Sequence, residues 1–180
     1  MPGTYVGFLR GVNVGGKNKL PMKDLAAMFV AAGCGEVQTF IQSGNVVFKA
    51  RPALASKIPA LIAGQIADRF GYRTPVVIRT VEEMSDVLVK NPFLGEGVNE
   101  DYLHLMFLAD TPSARAVSAL DPERSPGDKY IVRGRDIYFW LPNGAGNSKL
   151  TNAYFDSKLA TVSTIRNWRT VNKLLEMMRG

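Results

Sequence analysis

Residues Arg10-Gly11-Val12-Asn13-Val14-Gly15-Gly16-Lys17-Asn18-Lys19 combine cations, amides and glycines in one loop. They follow an apolar run (Tyr5, Val6, Phe8, Leu9) and precede a helix opened by Pro21. A glycine-rich basic loop between a strand and a helix suits an anion: backbone N–H groups point outward and charge-assisted hydrogen bonds are the strong ones. A second polar segment, Gln42-Ser43-Gly44-Asn45, has the composition of a hairpin turn. The candidate ligand-binding residues in these segments are Arg10, Asn13, Gly15, Gly16, Lys17, Asn18, Lys19, Gln42, Ser43 and Asn45. Neither segment contains Asp, Glu or His, so general-base chemistry would need a group from elsewhere. The loop is not a Walker A element, because Lys17 is followed by Asn18, and it does not spell the dinucleotide G-x-G-x-x-G. A purely structural reading stays open, since Gly and Asn also supply the positive φ of long turns.

The elements that must position these loops follow from periodicity. Residues 4–10 read as a strand and 21–32 as a helix with Met22, Leu25, Met28 and Phe29 on one face. Strands are expected at 36–41 and 45–49, a helix over 56–70 that Gly71 stops and that Pro59 either opens in its first turn or kinks, and a strand at 75–80. Thr80-Val81-Glu82-Glu83 reads as a capping box opening a helix to about Val89. The second half repeats the order: a strand at 101–109, a helix from Thr111-Pro112 to about Leu120, and paired strands at 128–133 and 136–141. Helices are expected at 148–159 and 164–179. The fold class is therefore α+β: two ferredoxin-like (split βαβ) subdomains in tandem, the second incomplete, with C-terminal helices. Residues 1–80 form the subdomain with the glycine-rich loop, 81–97 a connecting helix and linker, and 98–180 the second subdomain. The halves share an order of elements without convincing residue-level identity. A right-handed crossover places the loop after strand one and the hairpin after strand two at one sheet edge.

Composition sets the outer bounds. The 180 residues are 46% hydrophobic and 21% charged, with a net charge of +6, which fits a globular protein with a basic surface. No cluster of five or more Lys/Arg marks a nucleic-acid tail. The one cysteine, Cys34, excludes an internal disulfide and reads as a buried small residue; the lone histidine, His104, makes a zinc site improbable. No apolar run reaches the roughly 18 residues of a membrane span. The first residues lack a signal-peptide pattern. The expected location is the cytoplasm, with no membrane partner, no metal and no cofactor.

Three segments taken together resemble a bacterial family, Domain of Unknown Function 1697. They are the loop from Arg10 to Gly16 with Asn18, Lys19 and Met22; Gln42-Ser43-Gly44-Asn45-Val46-Val47-Phe48; and Arg166-Asn167-Trp168-Arg169-Thr170-Val171 with Lys173 and Leu174. The resemblance implies a two-part α+β protein related to ferredoxin-like folds and supplies no reaction. It draws Arg166 and Asn167, off the apolar stripe that includes Trp168, into the candidate binding set. Three functions remain open: binding of a phosphorylated or nucleotide-like small molecule, with or without catalysis; an RNA- or DNA-binding module; and an interaction protein with no small-molecule site.

Overall fold

A computed structural model describes residues 1–95 and 97–180. The chain divides into two units, Met1–Ser85 with Lys173–Gly180, and Asp86–Asn172. Among the described residues the fold is α+β, with two four-stranded antiparallel sheets and seven α-helices.

The first unit holds β1 (Gly3–Leu9), α1 (Met22–Ala31), β2 (Gly35–Phe40), β3 (Asn45–Ala50), α2 (Pro52–Ala55), α3 (Ile58–Phe70) and β4 (Val76–Thr80). Its strands lie in the order β2-β3-β1-β4, every neighbouring pair antiparallel. Leu25, Met28 and Phe29 of α1 and Ile58, Ile62 and Ile66 of α3 form one apolar cluster with Leu9, Val46 and Phe48 of the sheet. The helical stripes and the alternate residues of each strand thus face each other, which is what the 3.6- and 2-residue periods require. Residues of the opposite phase, Val6, Val47 and Val77, are also buried, at 0, 4 and 2% exposure. A strand buried on both faces reads as a continuous apolar run, as β1 does. α3 begins at Ile58, so Pro59 falls in its first turn, and Gly71 ends it as expected with φ 76°. Thr80 and Glu83 close the expected capping box: the Thr80 N–H donates to Glu83 Oε2 (2.9 Å) and the Glu83 N–H to Thr80 Oγ1 (3.2 Å). The helix they open is α4 (Val81–Val89).

The second unit holds β5 (Leu103–Leu108), α5 (Ala114–Ser118), β6 (Lys129–Arg133), β7 (Asp136–Trp140), α6 (Asn152–Leu159) and β8 (Ser163–Asn167). The last helix, α7 (Trp168–Arg179), begins here. The sheet order is β6-β7-β5-β8. Two expectations are corrected. The second sheet is complete, because residues 163–167 form an edge strand paired to β5 and the helix expected from 164 starts at Trp168. Thr161, Val162, Thr164 and Ile165 are β-branched and favour extended backbone. Asn167 then caps the helix, its Oδ1 accepting from the Thr170 N–H at 2.8 Å. α6 starts at Asn152, not 148, because Thr151 is its cap and Ala145–Asn147 form a separate 3-10 turn.

The two sheets are built alike in register. β1 and β5 share one register: Tyr5 sits opposite Phe48 and Thr80, and His104 opposite Phe139 and Asn167. Ile78-Arg79-Thr80 therefore corresponds to Ile165-Arg166-Asn167. Each arginine is buried, and each donates from Nη1 to the preceding isoleucine carbonyl, at 2.9 and 2.8 Å.

His104 is half-buried on β5, and burial pushes its pKa below the ordinary 6.5. The unfolded chain then takes up a proton at higher pH than the folded one, so this group's contribution to stability falls as pH drops through about 6.5. Urea unfolding at pH 7.5 and 5.5 should show lower stability at the acid value, and His104→Gln should shrink the difference. An equal pH dependence in the variant would contradict this.

Candidate functional site

β1 ends, β3 begins and β4 begins at one edge of the first sheet, as the antiparallel order β3-β1-β4 demands. The Leu9 N–H donates to the Gly44 carbonyl at 2.8 Å, and the Arg10 N–H to the Pro75 carbonyl at 3.2 Å. The Thr74 hydroxyl donates to the Arg10 carbonyl. The loop after β1 and the hairpin before β3 are therefore neighbours.

Beyond Arg10 the chain folds back on itself. The Asn13 N–H donates to the Asn18 carbonyl and the Lys17 N–H to the Val14 carbonyl, both at 3.0 Å. Gly15 and Gly16 turn this small ribbon with φ of 58° and 74°. Two successive positive φ values make a type I′ turn, for which glycine is the favoured residue. A Cβ at either glycine would meet nothing within 4 Å, so their backbones face open space.

The asparagines hold this ribbon in place. Asn13 (φ 56°) accepts from the Leu20 N–H and donates to the carbonyls of Leu20 and Gln42, each at 2.8 Å. The last of these bonds ties the loop to the hairpin. Asn18 (φ 51°) donates to the Gly11 carbonyl at 3.0 Å. Asn45 is fully buried and donates to the Phe40 carbonyl (3.1 Å) and to Ser43 Oγ (2.9 Å). Gly44 has φ 83° and packs so closely that a Cβ there would lie 2.7 Å from Leu9 Cβ and 2.9 Å from Val12 Cγ2.

Lys17, Lys19 and Gln42 are exposed, Arg10 and Ser43 half-buried. The structure adds Tyr72 and Arg73 to this edge. The Tyr72 hydroxyl donates to the Asn18 carbonyl at 3.1 Å, and the next residue, Arg73, is an exposed cation. No motif marks these two; the signal is topological, since the segment entering β4 must lie beside the end of β1. Segments 10–19, 42–45 and 71–75 thus carry Arg10, Lys17, Lys19 and Arg73 and no acidic side chain.

Arg166 and Asn167 lie in the second unit, on β8. Arg166 is 9% exposed, and burial lowers its pKa to about 10, which leaves the guanidinium charged at neutral pH. Asn167 is exposed and its Oδ1 caps α7. Cys34 is buried, and that burial raises its pKa, as for an unreactive thiol. Among the described residues no three His, Cys, Asp or Glu side chains gather in a metal-binding group, and no helix is long and apolar enough to cross a membrane. Two cavities are lined by none of these edge residues. One of about 230 Å3 in the first unit is lined by Thr4, Glu36, Lys49 and Arg179 among others. One of about 480 Å3 in the second unit is lined by Tyr102, Lys129 and Trp140 among others.

Fold and edge together define an α+β protein of two antiparallel sheets, with a basic ribbon stapled beside a buried-asparagine hairpin. The chain belongs to the protein family of unknown function DUF1697, whose model matches residues 3–138. Its structure is similar to that of the conserved bacterial protein SP0830 from Streptococcus pneumoniae, with a TM-score of 0.74 and 20% identity over 99% of each chain. That likeness concerns the fold. No curated protein matches the chain.

Proposed function

We propose that the basic edge of the first unit binds a phosphate-bearing small molecule, held by Arg10, Lys17 and Lys19 and approached by the bare backbone at Gly15 and Gly16. Ser43 and Gln42 add polar contacts from the hairpin. Asn13, Asn18 and Asn45 take a different part: their amides are occupied within the chain, so they shape the edge. The observation that carries the reading is the Asn13 bond to the Gln42 carbonyl, which fastens an exposed cationic ribbon to a second polar segment, neither of them carrying an acidic side chain. Fixed donors bind an anion at a lower ordering cost than mobile ones. In this reading residues 1–80 form the binding subdomain, 81–97 the connection and 98–180 a second subdomain. Each is a ferredoxin-like module, supported by the strand order and by the helices between the strands.

Single-stranded nucleic acid is the weaker alternative. A stacking platform needs exposed aromatics on a sheet face. Here Tyr5, Phe8 and Phe48 are 9, 0 and 0% exposed.

Thermal unfolding with ~5 mM pyrophosphate against chloride of matched ionic strength tests the proposal. The wild-type Tm should rise with pyrophosphate, and Lys17→Ala/Lys19→Ala should remove the rise. An equal rise in the double variant would sink the assignment.

A further inference from the structure

Trp140, the last residue of β7, sits across the sheet from Leu103 of β5 and Lys129 of β6. Its ring is only half-buried. Lys129 Nζ lies 5.5 Å from the ring centroid, and the Tyr102 ring stands edge-on to it at 6.4 Å and 81°. These three side chains, with Pro92 and Phe93, line the cavity of about 480 Å3, which falls within the usual size of a small-molecule site. Hydrogen bonds set its walls. Asn91, itself buried, accepts from the Phe93 N–H at 3.0 Å. Asn99 accepts from the Asp101 N–H at 3.0 Å and caps the turn that carries Tyr102. The acid nearest Tyr102 in sequence, Asp101, is paired with Arg169 at 2.6 Å.

Half-exposed aromatic faces keep apolar area in water, and a ring laid against them removes it. An ammonium at the rim then calls for an anionic group on that ring. We infer that the second unit carries a binding site for a planar aromatic molecule bearing one anionic group, its ring against Trp140 and Tyr102 and its anion on Lys129. The site shares no residue with the basic edge and does not depend on that reading.

Isothermal titration of the full chain with 2-naphthoate and with uncharged 2-naphthylmethanol tests this. Both should give a one-site isotherm, with naphthoate roughly tenfold tighter. Lys129→Met, at an exposed position, should erase that difference and leave the alcohol unchanged. Trp140→Leu should weaken both roughly tenfold or more. Lys17→Ala/Lys19→Ala should change neither. Absence of saturable naphthoate binding overturns the inference. So does a Lys129→Met variant that binds naphthoate as the wild type does, or loss of naphthoate binding in the Lys17/Lys19 variant.

Discussion

Gly44→Ala should lower the unfolding free energy by about 3 kcal/mol or more. Two costs add at this residue. Its φ of 83° is disfavoured for any residue with a Cβ, and that Cβ would stand 2.7 Å from Leu9 Cβ. The neighbours cannot give way cheaply, because Leu9 and Val12 are 0 and 1% exposed and belong to the core cluster. Interiors are packed to crystal-like density, so a methyl group forced into one shifts backbone. The Gly44 carbonyl also accepts from the Leu9 N–H, so such a shift pulls on the end of β1 itself. Urea denaturation measures the effect; a loss below about 1 kcal/mol would mean that the hairpin is not wedged against the strand end.

Asn13→Ala should cost about 2–3 kcal/mol. The side chain makes three hydrogen bonds, and its removal leaves the N–H of fully buried Leu20 without its acceptor. Asparagine also tolerates φ 56° better than alanine does. Asn13→Asp should cost at least as much, since it turns a carboxylate oxygen toward the carbonyls of Leu20 and Gln42. Amide hydrogen exchange at Lys17 should quicken in both variants, because the ribbon loses its tie to the hairpin. Wild-type stability in either variant would contradict the role given to Asn13.

How far the sequence disclosed this depends on the kind of signal. The edge shared by residues 10–19 and 42–45 was legible because a strand–helix–strand crossover leaves β1 and β2 parallel, so both strands end on the same side. Pro59, Gly71 and the Thr80–Glu83 pair marked helix ends correctly, since each acts through local backbone chemistry. β8 was missed for an equally physical reason. Ile165 and Trp168 are three residues apart, so a short strand running into a helix imitates one helical stripe. The correspondence between Ile78-Arg79-Thr80 and Ile165-Arg166-Asn167 spans too few residues to see without sheet register. Residue type also could not separate the asparagines from the lysines of the loop. Both are polar and both suit anions, yet the asparagine amides are turned inward while Lys17 and Lys19 face water. Arg73 became a candidate only when β4 was seen to enter beside the end of β1.

One ligand contacting both the ribbon and the hairpin is the account's central claim. Backbone chemical shifts followed during a pyrophosphate titration test it most directly. The amides of Gly15, Gly16 and Lys17 should move together with those of Ser43 and Gly44, along one saturating curve. Shifts confined to the ribbon, or growing without saturation across all exposed lysines, would contradict it.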